Sequence, residues 1–284
     1  MSTYSILIAN YNNAHFLKEC IDSVLAQTYQ DYEVIILDDC STDNSIEIIE
    51  SLIKGNDQFR LVTTQANRGV APVKYDLVSL AKGDFFAFLD PDDYLEPNAL
   101  QASIDILNRD TNVVLTYSNH YRFQDGNYAN RYYDKKIQIE QDDSTIFFNK
   151  QYKNQPFHFV TYRMSAYQKT EGINKFLVIG EDWDLIAKME EVGKLYHIDL
   201  PLYNYRIHSS NLSLGINNEK SQMWILGAIY EACKRRGDKN YHVYAKNYMD
   251  IHNPPENKKF EIVGKLICRP KFLFEILKSK LSKR

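Results

Sequence analysis

The chain has 284 residues, 44% of them hydrophobic and 25% charged, the composition of an ordinary globular protein built as one large domain or two joined halves. Its net charge of -3 gives no global reason to expect nucleic acid or an anionic membrane as a partner, and its four scattered cysteines, without a Cys-x-x-Cys pair, suggest neither a zinc site nor a disulfide framework. The first residues lack the basic region of a signal peptide and no run reaches the roughly 18 apolar residues of a spanning helix, so a reducing cytoplasmic setting is expected.

Tyr4 to Ile8 reads as a buried strand running into the polar turn Asn10-Tyr11-Asn12-Asn13. From Phe16 to Leu25 the apolar residues Phe16, Leu17, Cys20, Ile21, Val24 and Leu25 recur at three- and four-residue spacing, one face of an amphipathic helix. Tyr32 to Leu37 is a second buried strand, ending in Asp38 and Asp39. Ser41-Thr42-Asp43 then supplies cap chemistry for a helix carrying Ile46, Ile49 and Ile53. Arg60 to Thr64 reads as a third strand, Pro72 to Ala81 as a third helix, and Phe85 to Leu89 as a fourth strand that ends in Asp90-Pro91-Asp92-Asp93.

Such alternation implies βαβ units and a largely parallel sheet, whose carboxyl ends all lie on one edge. Tyr11, Asp38, Asp39, Asp90 and Asp92 should therefore meet along one rim, where open α/β sheets bind ligands. Taken alone, Asp-Pro-Asp-Asp is equally well a solvated turn capping the next helix. The repetition of polar groups after successive strands favours a site. Carboxylates beside a diphosphate are the usual holders of Mg²⁺ or Mn²⁺, because hard cations take oxygen ligands and keep positions open for phosphate.

Beyond the rim, Pro97 precedes a helix with Leu100, Ile104 and Leu107 on one face, and Val113 to Tyr117 is a further strand. Asn119 to Gln155 is polar and rich in tyrosine (Tyr121, Tyr128, Tyr132, Tyr133, Tyr152) and reads as loops and irregular strands, suited to stacking on sugar rings or to packing a half-exposed sheet. Gly180-Glu181-Asp182-Trp183-Asp184 opens a helix whose Trp183, Leu185, Ile186 and Met189 face inward; acids in a first turn are ordinary complements of the helix dipole. Lys194 to His208 reads as strand, Leu-Pro-Leu turn and strand. From about Asn218 the chain reads as a separate helical extension, broken at Asn253-Pro254-Pro255. Its end, Phe260 to Arg284, interleaves apolar and basic residues in the manner of a helix lying at a membrane interface, or of one packed on the catalytic domain or on a second subunit in a homodimer.

Together, Ser5 to Asn13, Gln27-Thr28-Tyr29, Glu33 to Asp39, Ser41-Thr42-Asp43, Asn67-Arg68-Gly69, Ala81-Lys82-Gly83-Asp84 and Leu89 to Asp93 resemble the family 2 glycosyltransferases. Glu181 to Asp184 and Tyr205 to His208 match later landmarks of that family, so the resemblance runs over roughly residues 3 to 210. It implies a GT-A fold, an α/β architecture with a Rossmann-like, mostly parallel sheet flanked by helices and here a C-terminal helical extension. Residues 1–100 would form the nucleotide-sugar half, 101–215 the acceptor half with the catalytic base, and 216–284 the extension.

By the same resemblance, Tyr11 would lie against the nucleotide base and Asp39 would accept its N3–H, favouring uridine or thymidine diphosphate, while Asp38 supports that loop. Ala9, Arg68, Lys74, Asp90 and Glu181 would complete the nucleotide-sugar site. Asp92 and His208 would hold Mn²⁺ or Mg²⁺, Asp93 would brace the loop, and Asp182 would be the general base of an inverting transfer. The expected partners are a nucleoside-diphosphate sugar donor and a glycan or lipid-linked acceptor, in cell-surface polysaccharide synthesis at the inner face of a membrane. Three positions depart from the family pattern: Ala9 stands for a frequent proline, Cys40 for a usual glycine, and Lys74 for a common arginine. The first two should be tolerated by the backbone, whereas Lys74 keeps a charge without a bidentate grip.

Two other readings compete. A sugar nucleotidyltransferase would carry a glycine-rich basic loop after its first strand, and Asn10 to Asn13 contains no Gly, Lys or Arg. An inactive sugar-nucleotide-binding scaffold subunit would have no use for both Asp92 and Asp182.

Overall fold

The structure, a computed structural model, describes residues 3–127, 130–134, 158–209, 211 and 218–252. Tyr128 and Tyr152, the Asn253-Pro254-Pro255 break and the basic stretch from Phe260 to Arg284 lie outside the described residues.

The first part alternates as expected: β1 (Tyr4–Asn10), α1 (Leu17–Leu25), β2 (Tyr32–Asp38), α2 (Ser45–Ile53), β3 (Phe59–Thr63), α3 (Val70–Leu80) and β4 (Phe85–Phe88). It continues with β5 (Tyr94–Leu95), α4 (Ala99–Arg109), β6 (Val113–Gln124), β7 (Tyr132–Asp134), β8 (His158–Arg163), α5 (Met164–Tyr167), α6 (Glu181–Glu190), β9 (Lys194–Ile207), α7 (Asn218–Arg236) and α8 (Tyr241–His252).

The sheet order is β3-β2-β1-β4-β8-β6-β9-β5, with β7 paired to β6. The β3-β2-β1-β4 half is parallel throughout. Then β8 runs antiparallel between β4 and β6, β9 pairs parallel with β6, and β5 closes the far edge antiparallel to β9. Strands covered on both faces need apolar side chains in both directions, which explains their continuous apolar runs. Ile6, Ile8, Val34, Ile36, Phe85 and Ala87 pack with Leu17, Ile21, Leu100 and Ile104, while Leu7, Ile35, Leu37 and Phe86 pack with Val73, Leu77, Trp183 and Ile186.

Several motif residues serve this packing. Gln27 is buried after α1; its Oε1 accepts from Leu100 N at 3.2 Å and its Nε2 donates to Glu96 O at 2.8 Å and Ser23 O at 3.0 Å, which fixes α1 against the start of α4. Glu33 Oε1 accepts from Ser5 Oγ at 2.7 Å and Lys82 N at 2.6 Å, and Ser5 Oγ accepts from Gly83 N at 2.9 Å. The Ala-Lys-Gly-Asp segment is thereby tied to β1 and β2.

Four expectations are corrected. β6 runs to Gln124, so the stretch read as loops and irregular strands from Asn119 begins with six residues of the regular strand. The Leu-Pro-Leu segment is not a turn but part of one 14-residue strand, β9. The register jumps there from Ser118↔Ile198 to Asn119↔Pro201, and a proline without an N–H is tolerated at such a bulge. β8 fills the sheet between β4 and β6, where no strand is expected from the sequence; its His-Phe-Val-Thr-Tyr-Arg lacks a clean alternation. Finally, α7 is not separate: Ile225, Leu226, Ile229 and Ala232 are buried in the same cluster as Trp183, Leu185 and Met189 of α6. Arg236 pairs with Glu190 at 2.9 Å and Arg235 with Glu191 at 3.1 Å across that contact. No helix among the described residues is long and apolar enough to cross a membrane.

A Cβ added at Gly83 would stand 2.7 Å from each of Phe85 O, Ser5 Oγ and Thr3 O, two of them backbone. Gly83→Ala is therefore expected to cost about 1–3 kcal/mol, the usual range for overpacking, read as a lower urea midpoint at unchanged m-value.

Candidate active site

The carboxyl ends of the parallel strands do form one rim. Asn10 pairs with Asp38 and Asp38 with Thr63 in register, and the ladder continues past the strands through Asp39 N to Asn10 O (2.8 Å), Thr64 N to Asp38 O (3.0 Å) and Leu89 N to Leu7 O (3.0 Å). Side chains that leave the sheet here are set side by side by the backbone itself.

At one end of the rim, Asp38 is 0% exposed and its carboxylate accepts three protein donors. Its Oδ2 accepts from Asn10 Nδ2 at 2.7 Å and Ser41 Oγ at 2.6 Å, and its Oδ1 from Ser41 N at 2.8 Å. It shapes the loop rather than meeting a ligand. Asp39 Oδ2 accepts from Arg68 N and Gly69 N, both at 2.8 Å, and its Oδ1 from Thr64 Oγ at 3.1 Å, which ties the 64–69 loop to β2. An ionised carboxylate has about four acceptor sites, so Asp39 keeps one for a further donor. Arg68 itself reaches sideways to Asp76 at 2.8 Å. Tyr11, 42% exposed, follows Asn10, whose carbonyl accepts from Asp39 N, and Ala9 packs against the core. Asn12, at φ 55°, accepts from Thr42 N at 2.7 Å and so binds the turn after β1 to the loop after β2.

Cys40 sits at φ 65°, in the left-handed region that favours glycine. The glycine usual at this position in the resembled family thus has a backbone reason, and this chain carries the strain of a side chain there.

In the middle of the rim stands a buried ion pair. Lys74 Nζ on α3 lies 2.7 Å from Glu181 Oε1 at the start of α6 and 5.1 Å from the Phe88 ring centre. Burial works against the ammonium, but Glu181, Asp90 and Asp182 outweigh it and hold Lys74 above its ordinary range. Asp90 is open to solvent yet enclosed by protein on its other sides. That enclosure raises its carboxyl, Lys74 lowers it, and Asp92 and Glu181 raise it again.

Asp182 follows Glu181 in the first turn of α6, whose N-cap Gly180 adopts the left-handed conformation at φ 85°. Only partly accessible to water, its carboxyl is pushed up to about 6 by desolvation and by Glu181, against the pull of Lys74 and of the hydrogen bond from Trp183 N (2.8 Å). Asp184, two residues on, is turned inward to Lys188 at 2.7 Å.

At the far end, Asp92 Oδ2 meets His208 Nε2 at 2.9 Å, and Asn211 Nδ2 approaches both, at 3.5 and 3.2 Å. The loop beneath is held by Arg206, which is fully buried. Its Nε donates to Asp92 O at 2.6 Å, its backbone N to Asp93 Oδ1 at 2.8 Å, and its guanidinium pairs with Asp125 at 2.9 Å and with Glu19. The Phe16 and Phe123 rings each lie 4.9 Å from its guanidinium carbon. Asp93 is raised well above the carboxylate range by burial, which its bonds from Arg206 N and Tyr203 only partly offset.

An oxygen and an imidazole nitrogen aimed at each other make a donor set that suits Mn²⁺, with Mg²⁺ preferring oxygen alone. Among the described residues no three or more His, Cys, Asp and Glu gather into a full cage. Two protein ligands leave the other positions to phosphate and water, so the residues fit a cation bound together with its substrate. A cavity of about 610 Å³ lined by Leu37, Val62, Thr64, Arg68, Asp76 and Leu80 opens on the flank of the sheet beside α3. Neither Asp90, Asp92 nor Asp182 lines it.

The sequence reading thus brings Asp39, Lys74, Asp90, Asp92, Asp182, Glu181 and His208 to one edge. It expects Asp38 and Asp93 to brace loops, where the structure shows them accepting bonds from Asn10, Ser41 and Arg206, and it passes over Arg206, Glu19 and Asn211. Arg206 stands between Tyr205 and Ile207 in a strand that also carries Lys194, His197, Asp199 and Asn204, so its sequence setting did not single it out.

Residues 5–170 match the model of glycosyl transferase family 2, and the chain belongs to that family. It is 30% identical over 259 residues to chondroitin synthase of Pasteurella multocida (strain Pm70), covering 90% of this chain and 25% of that protein, so the chain spans about a quarter of the relative's length. TarS of S. aureus, solved in complex with UDP-GlcNAc, superposes with a TM-score of 0.71 at 16% identity, over 95% of this chain and 78% of its own. The mannosyltransferase PcManGT of Pyrobaculum calidifontis, solved with GDP-Man and Mn²⁺, gives 0.66 at 13% identity over 99% and 80%. The fold is that of the GT-A glycosyltransferases.

Replacing Arg206 by Met strands two acids that are partly open to solvent, at 43% and 31% side-chain exposure. The expected loss is about 2–3 kcal/mol, below the roughly 3–5 kcal/mol of a fully buried broken pair, because Glu19 and Asp125 can rehydrate. Cys40→Gly, by contrast, should raise the thermal midpoint, relieving about 1 kcal/mol of left-handed strain less the added chain entropy of glycine. Denaturation of both variants checks the two signs.

Proposed function

We propose that this chain transfers a sugar from a nucleoside diphosphate, uridine or thymidine, to a hydroxyl of a glycan or lipid-linked acceptor, inverting the anomeric centre, as a step of polysaccharide synthesis. The observation that carries this reading is the carboxyl of Asp182, which is held near 6 on the same rim as the Asp92–His208 pair.

A general base works best when its pKa lies near the operating pH, so that it is ionised yet still basic. Asp182 meets that condition through partial desolvation and its neighbour Glu181, while Lys74 keeps Glu181 and Asp90 from adding further unbalanced charge. In the reaction its carboxylate takes the proton of the acceptor hydroxyl as that oxygen attacks the anomeric carbon, and the nucleoside diphosphate leaves on the opposite side. One base and in-line attack imply inversion.

Asp92 and His208 would hold Mn²⁺ or Mg²⁺, which as a Lewis acid offsets charge developing on the leaving diphosphate. Arg206 keeps Asp92 in place through its carbonyl, so that the carboxylate stays turned toward His208. The remaining acceptor site of Asp39 suits the N3–H of uracil or thymine, with Tyr11 beside it to stack on the base. UDP-GlcNAc in TarS supports a uridine donor, Mn²⁺ in PcManGT supports the cation, and the chondroitin synthase relative supports a glycan acceptor.

The test is the pH dependence of turnover, measured as nucleotide release. On a logarithmic plot kcat should rise with unit slope up to about pH 6, where Asp182 ionises, and level off above it. Asp182→Asn should lose at least about 100-fold in kcat together with that acid limb, while thermal shifts by UDP and Mn²⁺ persist. An Asn variant as fast as the native chain would remove Asp182 from the mechanism.

A further inference from the structure

The described residue with the most exposed large apolar side chain is Phe176, 81% accessible, with Val178 at 61% close by. Water-exposed rings need no account singly, but this one is presented by a built turn. Phe176 N donates to Asn174 Oδ1 at 3.1 Å and Leu177 N to Asn174 O at 3.1 Å. The turn's stem is fixed in its turn, by Ile173 N on Tyr167 Oη (3.2 Å) and by the buried Lys188 Nζ on Gly172 O (2.8 Å). At its tip, Lys175 Nζ lies 5.2 Å from the ring centre of Tyr75 and 5.8 Å from that of Phe176, bridging two rings from different elements.

Position gives this patch meaning. Tyr75 directly follows Lys74, whose ammonium holds Glu181, and Phe176 lies six residues before Asp182 on the segment that delivers it. The patch is thus joined, through α3 and through the segment leading into α6, to the end of the rim that carries the proton acceptor. Aromatic rings cover the C–H faces of sugars, and a lysine ammonium binds carboxylate or phosphate as a point charge.

We propose that Tyr75, Lys175 and Phe176 form the acceptor subsite and select a saccharide carrying a negative charge, a carboxylate or a phosphate, on or next to the sugar whose hydroxyl is glycosylated. This rests on the proposed transfer reaction for its biological meaning, but not for its test. A lipid surface fits less well, because three side chains make a small anchor and the ammonium sits between the Tyr75 and Phe176 rings.

The test is direct binding to the full chain by saturation-transfer NMR titration of methyl β-glucuronide, methyl β-glucoside 6-phosphate and neutral methyl β-glucoside. Either or both charged sugars should bind about fivefold more tightly than the neutral one, as an exposed charge pair allows. Lys175→Ala should erase that preference, and Phe176→Ala should weaken all three by about five- to tenfold. All three patch residues are at the surface, so the variants should keep native thermal midpoints and unchanged UDP-induced shifts. Equal affinity of charged and neutral sugars for the native chain, or indifference of binding to both variants, would overturn the proposal. So would loss of co-sedimentation with vesicles of 30% anionic lipid in Phe176→Ala at unchanged sugar affinity, which would assign the patch to a membrane. Failure of the transfer reading would instead appear as absent UDP shifts and absent turnover in the native chain.

Discussion

Like charges gathered on the edge of a sheet repel, and everything at this rim depends on two buried cations that offset them. Lys74 and Arg206 stand on either side of the Asp-Pro-Asp-Asp turn. Lys74 pairs with Glu181 and acts on Asp90 and Asp182. Arg206 pairs with Glu19 and Asp125 and fixes the backbone of Asp92 and the carboxylate of Asp93. Both cations are paired with carboxylates, and both join segments distant in sequence. The ion pairs therefore define where the carboxylates point, and the parallel sheet supplies the edge on which they can meet.

That division of labour explains why the rim can hold acids with different protonation behaviour. Asp93 is buried, braced by a backbone donor and a tyrosine, and kept away from solvent chemistry. Asp92 remains partly open and turned to His208. Asp182 is desolvated enough to be raised but accessible enough to exchange a proton. Environments that separate the pKa values of neighbouring carboxylates are what acid–base roles require.

The parallel half of the fold was legible because each strand there is covered on both faces and each helix carries one apolar stripe, so composition and spacing reported burial directly. β8 was not, since its six residues combine His, Thr and Arg with three apolar residues and derive their place from β4 and β6 rather than from their own pattern. The length of β9 was hidden by a proline that a bulge accommodates. In the site, Asp39, Asp92 and Asp182 could be read because strand ends and helix starts are visible in sequence. Arg206 could not, because its role lies in three partners more than 80 residues away. Motif membership was also no guide to chemistry. Gln27, Glu33 and Gly83 belong to recognisable segments, yet they pin helices and strands together.

The central claim is that Asp182 activates the attacking hydroxyl on the face opposite the departing diphosphate. The most direct measurement lets water serve as the acceptor: the full chain is incubated with UDP-α-GlcNAc and Mn²⁺, and the anomer of the first sugar released is followed by proton NMR before mutarotation. The account predicts that β-GlcNAc appears first, together with UDP. Release of α-GlcNAc first would contradict it, since retention requires a different arrangement of groups from one base and in-line attack.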